Sequence, residues 1–300
     1  MDKKNNILEQ FAHKAFTLEN TQTKNRLFNN RYILKDKIGE GGLCKVYDAI
    51  ETYSEYFKED RNLVVKVPLQ ELLDKKDIAA FVYSEYSILS KVCHPNIVRV
   101  TDFGIDESSE IPYLVMEKLD GTLLVNLSLH QIDKAMTNKL AYSLYKALLY
   151  LHTKQIVHAD INPTNIMVLN NGQASLFDFG ISQDLYSQKS FHLSFSKMNA
   201  FNPIYSAPEI LEGKKPSSQT DIFSLACVLY ELYSGKLPFT KSSLELKATP
   251  LKQKDFCKIP LLQRTWFRKA LVYDPNKRAK SIPLYVKLKM LFDKCIVLSH

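Results

Sequence analysis

Apolar positions follow two different patterns along the chain. In the first third they form short runs broken by glycines or charged loops, a pattern that predicts strands. These runs cover residues 32–34, 46–50, 63–67, 97–100 and 113–117, with a charged loop at 51–62. Between the third and fourth runs, residues 71–91 carry apolar side chains at helical spacing. The first third is therefore predicted to be a small α+β lobe, with a five-stranded antiparallel sheet and one helix.

Beyond Asp120 and Gly121 the apolar positions change to a helical repeat. Four segments, separated by loops with proline and glycine, carry an apolar face: 133–154, 218–234, 260–272 and 281–295. Residues 1–30 are polar and rich in Asn, Lys and Gln. We therefore expect an N-terminal extension at 1–30, a first lobe at 31–118 and a mainly helical second lobe at 119–300. A length of 300 residues agrees with two lobes around one cleft.

Composition and charge narrow the classes of partner. Hydrophobic residues make up 45% and charged residues 24%, which is typical of a folded globular protein and excludes a disordered or fibrous one. The chain has 40 Lys and Arg against 32 Asp and Glu, a net charge of +8. Such a charge suits nucleic acid, acidic lipid or a phosphorylated substrate. Because the positive residues form no block of five or six, a solvated surface is favoured and no nucleic-acid partner is expected.

The spacing of the cysteines and the length of the longest apolar stretch indicate in which cellular compartment the protein is expected. The five cysteines are widely spaced and include no C-x-x-C pair, which argues against a disulfide framework and a zinc site. The N-terminus leads into no signal-peptide core, and the most apolar stretch, residues 222–232, is too short to span a bilayer. We therefore expect a cytoplasmic protein without a membrane span.

Three of the nine glycines lie in one window between two predicted strands. Residues 39–46 read GEGGLCKV, and such a string alone is equally typical of a plain hairpin turn. Further along, Lys66 lies within an apolar strand. Because a buried lysine is destabilising unless it meets an anion, Glu85 on the following helix is its natural partner.

A second set of polar residues lies in the second half of the chain. Residues 158–165 read HADINPTN, and Asp178-Phe179-Gly180 begins thirteen residues after Asn165. Two carboxylates and an amide are the hard oxygen ligands that Mg²⁺ prefers, with phosphates and water completing its shell.

With these motifs the chain resembles the eukaryotic-type protein kinase family, as a divergent Ser/Thr kinase-like member. The resemblance continues through Ala207-Pro208-Glu209, Asp221 and Arg278, and covers about residues 31–295. It implies the two-lobed kinase fold with its helix C, ATP and Mg²⁺ as cofactors with Mn²⁺ as an alternative ion, and transfer of the γ-phosphate to Ser or Thr hydroxyls of protein substrates. It also implies a buried structural ion pair between Glu209 and Arg278.

The resemblance assigns roles to individual residues. Asp160, Lys66 and Asn162 would be catalytic, with Asp160 accepting the proton of the substrate hydroxyl, and Asn165 and Asp178 would hold the metal. The positions that would bind the nucleotide are Ile38, Gly39, Gly41, Gly42, Cys44, Val46, Val64, Lys66, Glu85, Met116, Glu117, Leu119 and Met167.

Several positions depart from the family pattern. Cys44 replaces a glycine of the phosphate loop, and Ala159 replaces the Arg that grips a phosphorylated activation loop. We therefore expect activity that does not depend on phosphorylation of Ser187, Ser190, Ser194 or Ser196. Asn162 and Asn202 replace the Lys that contacts the γ-phosphate and the Thr that bonds to it. We expect these two asparagines to pair with each other and hold Asp160, at the expense of rate.

Two further readings stay open. One is a pseudokinase, a nucleotide-binding scaffold, and the other is a kinase-like enzyme that transfers an adenylyl group or acts on a small molecule. A regulatory protein is a further candidate partner. The expected location is cytoplasmic, with delivery into a host cell as the alternative if the source is a pathogen. Transfer of phosphate that is lost on Asp160→Ala separates the enzyme from the scaffold.

Overall fold

The computed structural model describes residues 26–59, 61–75, 77–185 and 202–298. They divide into two compact units. The first extends to Ser90 and includes Arg99–Lys118, and the second holds Lys91–Val98 and everything from Leu119 onward. None of the helices in these ranges is long and apolar enough to cross a membrane.

Among the described residues, the first unit contains a six-stranded antiparallel sheet and two α-helices. Its strands are β1 (Arg26–Phe28), β2 (Tyr32–Glu40), β3 (Cys44–Glu51), β4 (Leu63–Pro68), β5 (Val100–Ile105) and β6 (Pro112–Glu117), in the order β1-β2-β3-β4-β6-β5. Its helices are α1 (Thr52–Phe57) and α2 (Ile78–Leu89). The α+β class is confirmed. The prediction of five strands is wrong by one strand, and α1 occupies part of the segment expected to be a charged loop.

The additional strand depends on a turn that the hydrophobic pattern does not reveal. Asn29 and Asn30 both have positive φ, +49° and +52°, and the Arg31 N–H donates to the Phe28 carbonyl at 3.0 Å. Asparagine tolerates this left-handed region better than most residues, so the pair closes a tight hairpin. Phe28 is buried beneath the sheet. The sheet therefore begins inside the segment 1–30 that was assigned to an extension.

Strand β4 is buried on both faces. Leu63, Val65 and Val67 belong to an apolar cluster that also includes side chains of β1, β2, β3 and β6. The intervening residues, Val64 and Lys66, point to the opposite face because successive side chains alternate along a strand. A run of apolar residues without alternation is typical of such a doubly covered strand.

Residues 91–98 leave the first unit because they bond to a strand of the second. The Val98 N–H donates to the Leu176 carbonyl, and the Leu176 N–H donates to the Asn96 carbonyl, both at 2.9 Å. Ile97 forms a parallel bridge with the same residue. The strand expected at 97–100 begins instead at Val100, where pairing with β6 starts.

The second unit is mainly helical. Its helices are α3 (Lys134–Thr153), α4 (Pro208–Leu211), α5 (Ser218–Ser234), α6 (Leu261–Ala270) and α7 (Leu284–Leu298). Its strands are β7 (Gly121–Leu123), β8 (Ile156–Val157), β9 (Ile166–Leu169), β10 (Ala174–Leu176) and β11 (Gln183–Asp184), paired as β10-β9-β7 and β11-β8. Each of the four helices predicted for this lobe matches α3, α5, α6 or α7 to within a few residues.

Helix α5 lies in the core of the second unit. Every residue from Thr220 to Tyr230 is buried, so this helix is covered on all sides. Gly235 ends it in the left-handed conformation, φ +78°, a common C-terminal cap.

A buried ion pair lies near the start of α5. The Arg278 guanidinium donates to both Glu209 carboxylate oxygens, at 2.6 and 2.7 Å. The two-point geometry compensates for the desolvation of both charges. The structure thus contains the pair expected from the sequence.

Candidate active site

Lys66 and Glu85 form a buried ion pair in the first unit. The Lys66 Nζ lies 2.9 Å from Glu85 Oε1 and 2.7 Å from Oε2, and both side chains are less than 10% exposed. Lys66 extends from β4, and Glu85 from the buried face of α2. The helix therefore supplies the anion that a buried lysine requires, and it fixes the ammonium group on one face of the sheet.

The same face carries other residues expected to contact the nucleotide. Across the ladder Lys66 pairs with Val46, and Val64 pairs with Met116. Directly opposed residues of antiparallel strands share a face. Val46, Val64 and Met116 therefore lie on the Lys66 face of the sheet, as a purine site requires.

The glycines between β2 and β3 are not required by the packing of the protein. A Cβ added at Gly39 or Gly41 would meet nothing closer than 3.8 Å, and one at Gly42 would have no neighbour within 4 Å. Gly121 differs, because a Cβ there would lie 2.2 Å from the Val168 carbonyl oxygen. Open space over three successive glycine positions is the property a loop needs if its amides are to approach phosphates.

The remaining nucleotide positions differ in exposure. Cys44 is buried and pairs with Pro68, which favours a packed cysteine over a reactive one. Ile38 is 51% exposed. Glu117 is partly engaged elsewhere, because its carboxylate accepts the Arg99 N–H at 2.9 Å. Leu119 and Met167 are half-buried in the second unit.

One buried carboxylate holds the loop that precedes Asp160. Asp221, in the first turn of α5, accepts the N–H of His158 at 2.9 Å and of Ala159 at 2.8 Å, and its Oδ2 lies 3.0 Å from His152 Nε2. Ala159 has φ +70°, a conformation uncommon for a residue other than glycine. The two amide hydrogen bonds hold this conformation and so position Asp160.

Both carboxylate oxygens of Asp160 accept hydrogen bonds. The Asn165 Nδ2 donates to Oδ2 at 2.7 Å, and the Asn202 main-chain N–H donates to Oδ1 at 3.2 Å. Burial raises the pKa of the Asp160 carboxyl above its ordinary value, and the charge of Asp178 raises it further, while the Asn202 N–H and His158 act in the opposite direction. The result is an oriented carboxylate with more affinity for a proton than a solvated one has.

Asn162 takes a different position from the one expected. Its Oδ1 accepts the Thr164 N–H at 2.9 Å, and its Nδ2 donates to the Asp160 carbonyl at 3.2 Å. The Asn202 Oδ1 accepts the Ile204 N–H at 3.0 Å. The expected pairing of the two asparagine side chains is therefore wrong. Each amide instead bonds to main-chain groups two residues away, as short polar side chains readily do.

Asn165 and Asp178 offer oxygen ligands of the type that Mg²⁺ and Mn²⁺ prefer. The Asn165 Nδ2 donates to the Asp160 carbonyl at 3.0 Å and to its carboxylate at 2.7 Å, and the Asn165 Oδ1 accepts from the Thr164 hydroxyl at 3.4 Å. Asp178 has φ +62° and its charge acts on Asp160. One carboxylate and one amide oxygen fit a cation whose other ligands come from phosphates and water.

The segment around Asp178 is tied to the loop around His158. The His158 and Phe179 rings lie 4.5 Å apart, and both side chains are fully buried. The Ser182 hydroxyl donates to the His158 carbonyl at 2.9 Å, and His158 Nε2 lies 3.2 Å from the Phe177 carbonyl. His158 is thus a buried structural residue of this loop.

Sequence reasoning missed two contributors to this site. His152 was not singled out, although it lies against Asp221, and Asn202 was chosen for its side chain whereas its main-chain N–H contacts Asp160. Asp221, a single acid at the start of an apolar helix, is a signal from which a partner such as His152 could be sought. A main-chain contact such as that of Asn202 leaves no signal in the sequence. Ser187, Ser190, Ser194 and Ser196 lie outside the described residues.

Comparisons with known proteins agree with this geometry. The family model described as protein kinase domain matches residues 32–296. A probable serine/threonine-protein kinase of Streptomyces coelicolor is 32% identical over 223 residues, which are 73% of this chain and 32% of that protein. The serine/threonine-protein kinase PrkC of Bacillus subtilis is 30% identical over 278 residues, covering 88% of this chain and 41% of that protein. The chain spans about a third of the length of the first of these relatives.

Proposed function

This chain belongs to the protein kinase family, and from that premise we propose that it is an active ATP-dependent serine/threonine kinase that phosphorylates proteins. The observation that carries the proposal is the environment of Asp160. Its two carboxylate oxygens are oriented by Asn165 and Asn202, and its pKa is raised by burial and by Asp178. A pseudokinase has no need of a carboxylate adjusted in this way.

In the first unit we assign nucleotide binding to the Lys66 face of the sheet and to the open glycine loop. The Lys66 ammonium is held in place by Glu85, where it can meet phosphate oxygens. The Gly41 N–H bonds to the Cys44 carbonyl, and the amides of Gly42 and Leu43 would supply neutral donors. Val46, Val64 and Met116 would supply an apolar surface for a purine. Binding there is a matter of position and charge, because phosphoryl transfer needs little covalent help from the protein.

In the second unit we assign the proton of the substrate hydroxyl to Asp160. The carboxylate orients that hydroxyl and accepts its proton as the oxygen attacks phosphorus. Asn165 and Asp178 would hold Mg²⁺ or Mn²⁺, and the ion neutralises phosphate charge when it is bound. A raised pKa of Asp160 suits this role, since it increases the affinity of the carboxylate for the proton it is to accept.

We also propose that the enzyme is slow and is not switched on by phosphorylation of its own loop. Asn162 brings no positive charge near the transferred group, which removes ~1 to 3 kcal/mol of transition-state stabilisation. Ala159 is buried with its N–H bound to Asp221, and its methyl group cannot grip a phosphate.

The test is transfer of labelled phosphate from ATP to a Ser/Thr peptide library by the 300-residue chain, compared with Asp160→Asn. Asp36→Asn, an exposed acid of β2, is the matched control. We expect transfer by the wild type and by the control, and its loss in Asp160→Asn. Nucleotide binding without transfer by the wild type would instead identify a scaffold. A product heavier by AMP, read by mass spectrometry, would identify an adenylyl transferase.

A further inference from the structure

The positive charge of this protein is concentrated in one stretch of the second unit. Residues 236–289 hold fourteen Lys or Arg and three Asp or Glu, a net charge of +11, whereas the whole chain carries +8. The rest of the chain therefore has a net charge of −3. Most of these lysines are exposed, among them Lys258, Lys269, Lys280 and Lys289. The dispersed basic surface expected from the sequence is thus a local one.

The same stretch exposes large apolar side chains. On α7, Leu284, Leu288, Leu291 and Phe292 follow the i, i+4, i+7, i+8 spacing of one helix face, and each is 47% to 71% exposed. On α6, Leu261 and Leu262 are both 75% exposed. Exposed leucines are ordinary when scattered, but a run of them on one helix face marks an interaction site.

A cavity lies between the two helices, and one lysine is among its lining residues. It has a volume of about 420 Å³, and its lining includes Tyr142, Tyr285, Leu261, Leu262 and Lys289. The Lys289 Nζ lies 4.6 Å from the centre of the Tyr142 ring, and the Lys146 Nζ lies 5.1 Å from it. We call this surface the α6–α7 patch. It comprises Leu261, Leu262, the exposed face of α7, and the half-buried Lys287 and exposed Lys289 of the same helix.

We propose that the α6–α7 patch docks on a membrane surface that contains anionic lipids. A helix with leucine and phenylalanine on one face and lysines beside them is the pattern that inserts at the headgroup boundary, and tyrosines are enriched at the same depth. The lysines complete the match, because each one near an anionic leaflet strengthens binding about fivefold.

Two other occupants fit the patch less well. A second copy of the chain would bring the lysines of two patches together, and like charges oppose such contact. Nucleic acid would satisfy the lysines, but its interfaces are polar and would leave six large apolar side chains without partners. A bilayer satisfies both the charge and the apolar area.

The experiment is sedimentation of the full chain with vesicles of phosphatidylcholine alone and with vesicles in which a third of the lipid is phosphatidylglycerol. One variant combines Lys287→Gln with Lys289→Gln, and another combines Leu261→Ser with Leu262→Ser. The matched control, Lys35→Gln with Lys75→Gln, removes the same charge from exposed positions of the first unit. Thermal unfolding verifies that every variant is folded.

We expect binding to the anionic vesicles only, weakened by added salt. The patch lysine variant should bind about 25-fold more weakly, the leucine variant should bind measurably more weakly, and the control should bind like the wild type. Equal binding by all variants would overturn the proposal. So would a patch-dependent dimer in sedimentation velocity, or patch-dependent binding to DNA in place of vesicles.

Discussion

At the scale of single residues, the candidate site combines two unfavourable features. Ala159 and Asp178 both have positive φ although neither is glycine, and the Asp160 carboxylate is buried near the charge of Asp178. Backbone strain and like charges of this kind cluster where function requires them, and the rest of the fold compensates. Asp221 supplies part of that compensation through the amides of the loop.

Asp160→Asn should lower the rate of phosphate transfer by roughly 10² to 10⁴ and raise thermal stability at neutral pH. A carboxyl whose pKa is raised by folding destabilises the folded state when ionised, and this penalty disappears as the pH falls through its folded pKa. The stability difference between variant and wild type should therefore shrink toward acid pH. Thermal unfolding across pH measures it, and a variant that is less stable than wild type at pH 7 would contradict it.

The raised pKa of Asp160 also predicts how kcat/KM falls at acid pH. Because the pKa of Asp160 is raised, kcat/KM should begin to fall at a higher pH than an ordinary aspartate would give. The measurement is kcat/KM against pH with a peptide substrate.

Asn162→Lys should speed transfer about ten- to a hundredfold, since it restores a cation beside the transferred phosphate. It should also destabilise the protein by about 1 kcal/mol, because the Asn162 side chain that caps the following turn is lost. Steady-state kinetics and thermal unfolding report the two effects separately. An unchanged rate in a folded variant would show that Asn162 does not limit the enzyme.

At the scale of elements, glycines with different surroundings make different contributions. Those between β2 and β3 have open space, whereas Gly121 in β7 is pressed against the Val168 carbonyl of β9. The first kind leaves room for a ligand, and the second allows two strands to approach. The sequence alone does not distinguish these two kinds of glycine.

Gly41→Ala should leave the free energy of unfolding within about 0.5 kcal/mol of wild type, because a Cβ there meets nothing closer than 4.0 Å. It should raise the KM for ATP about tenfold, since the methyl group hinders approach of the loop to phosphates. Gly121→Ala is the contrasting variant. It should cost about 2 kcal/mol or more through overpacking. Denaturant unfolding and ATP kinetics of the pair test the distinction, which fails if Gly41→Ala proves the more destabilising.

At the scale of the whole molecule, the prediction concerns control of activity by phosphorylation, because Ala159 stands where the family resemblance places an Arg that grips a phosphorylated activation loop. Combined alanine substitution of Ser187, Ser190, Ser194 and Ser196 should leave most of the transfer activity intact, because Ala159 offers no cation to a loop phosphate. Phosphate transfer by the quadruple variant, purified from the same host as the wild type, is the measurement. Loss of more than about tenfold in kcat/KM would mean that a loop phosphate is recognised by other residues.

The sequence alone determined the class of fold, most strands and helices, and the order of the motifs. The apolar runs of β4 and α5 extend over a few residues, and so does the chemistry of Lys66 or Asp178. Such local signals survive without knowledge of packing. The positive charge of Lys66 in an apolar strand predicted a carboxylate partner, and Glu85 on the following helix is that partner.

Only the tertiary structure decided how the polar groups are satisfied. Asn202 reaches Asp160 through a main-chain N–H across 42 positions of sequence, Asp221 holds two amides more than 60 positions away, and Asn162 caps its own turn instead of pairing with Asn202. Each outcome is a competition among donors and acceptors that only packing brings within reach. The β1 strand and the exposed apolar face of α7 were decided in the same way, by which surfaces the chain buries and which it leaves exposed.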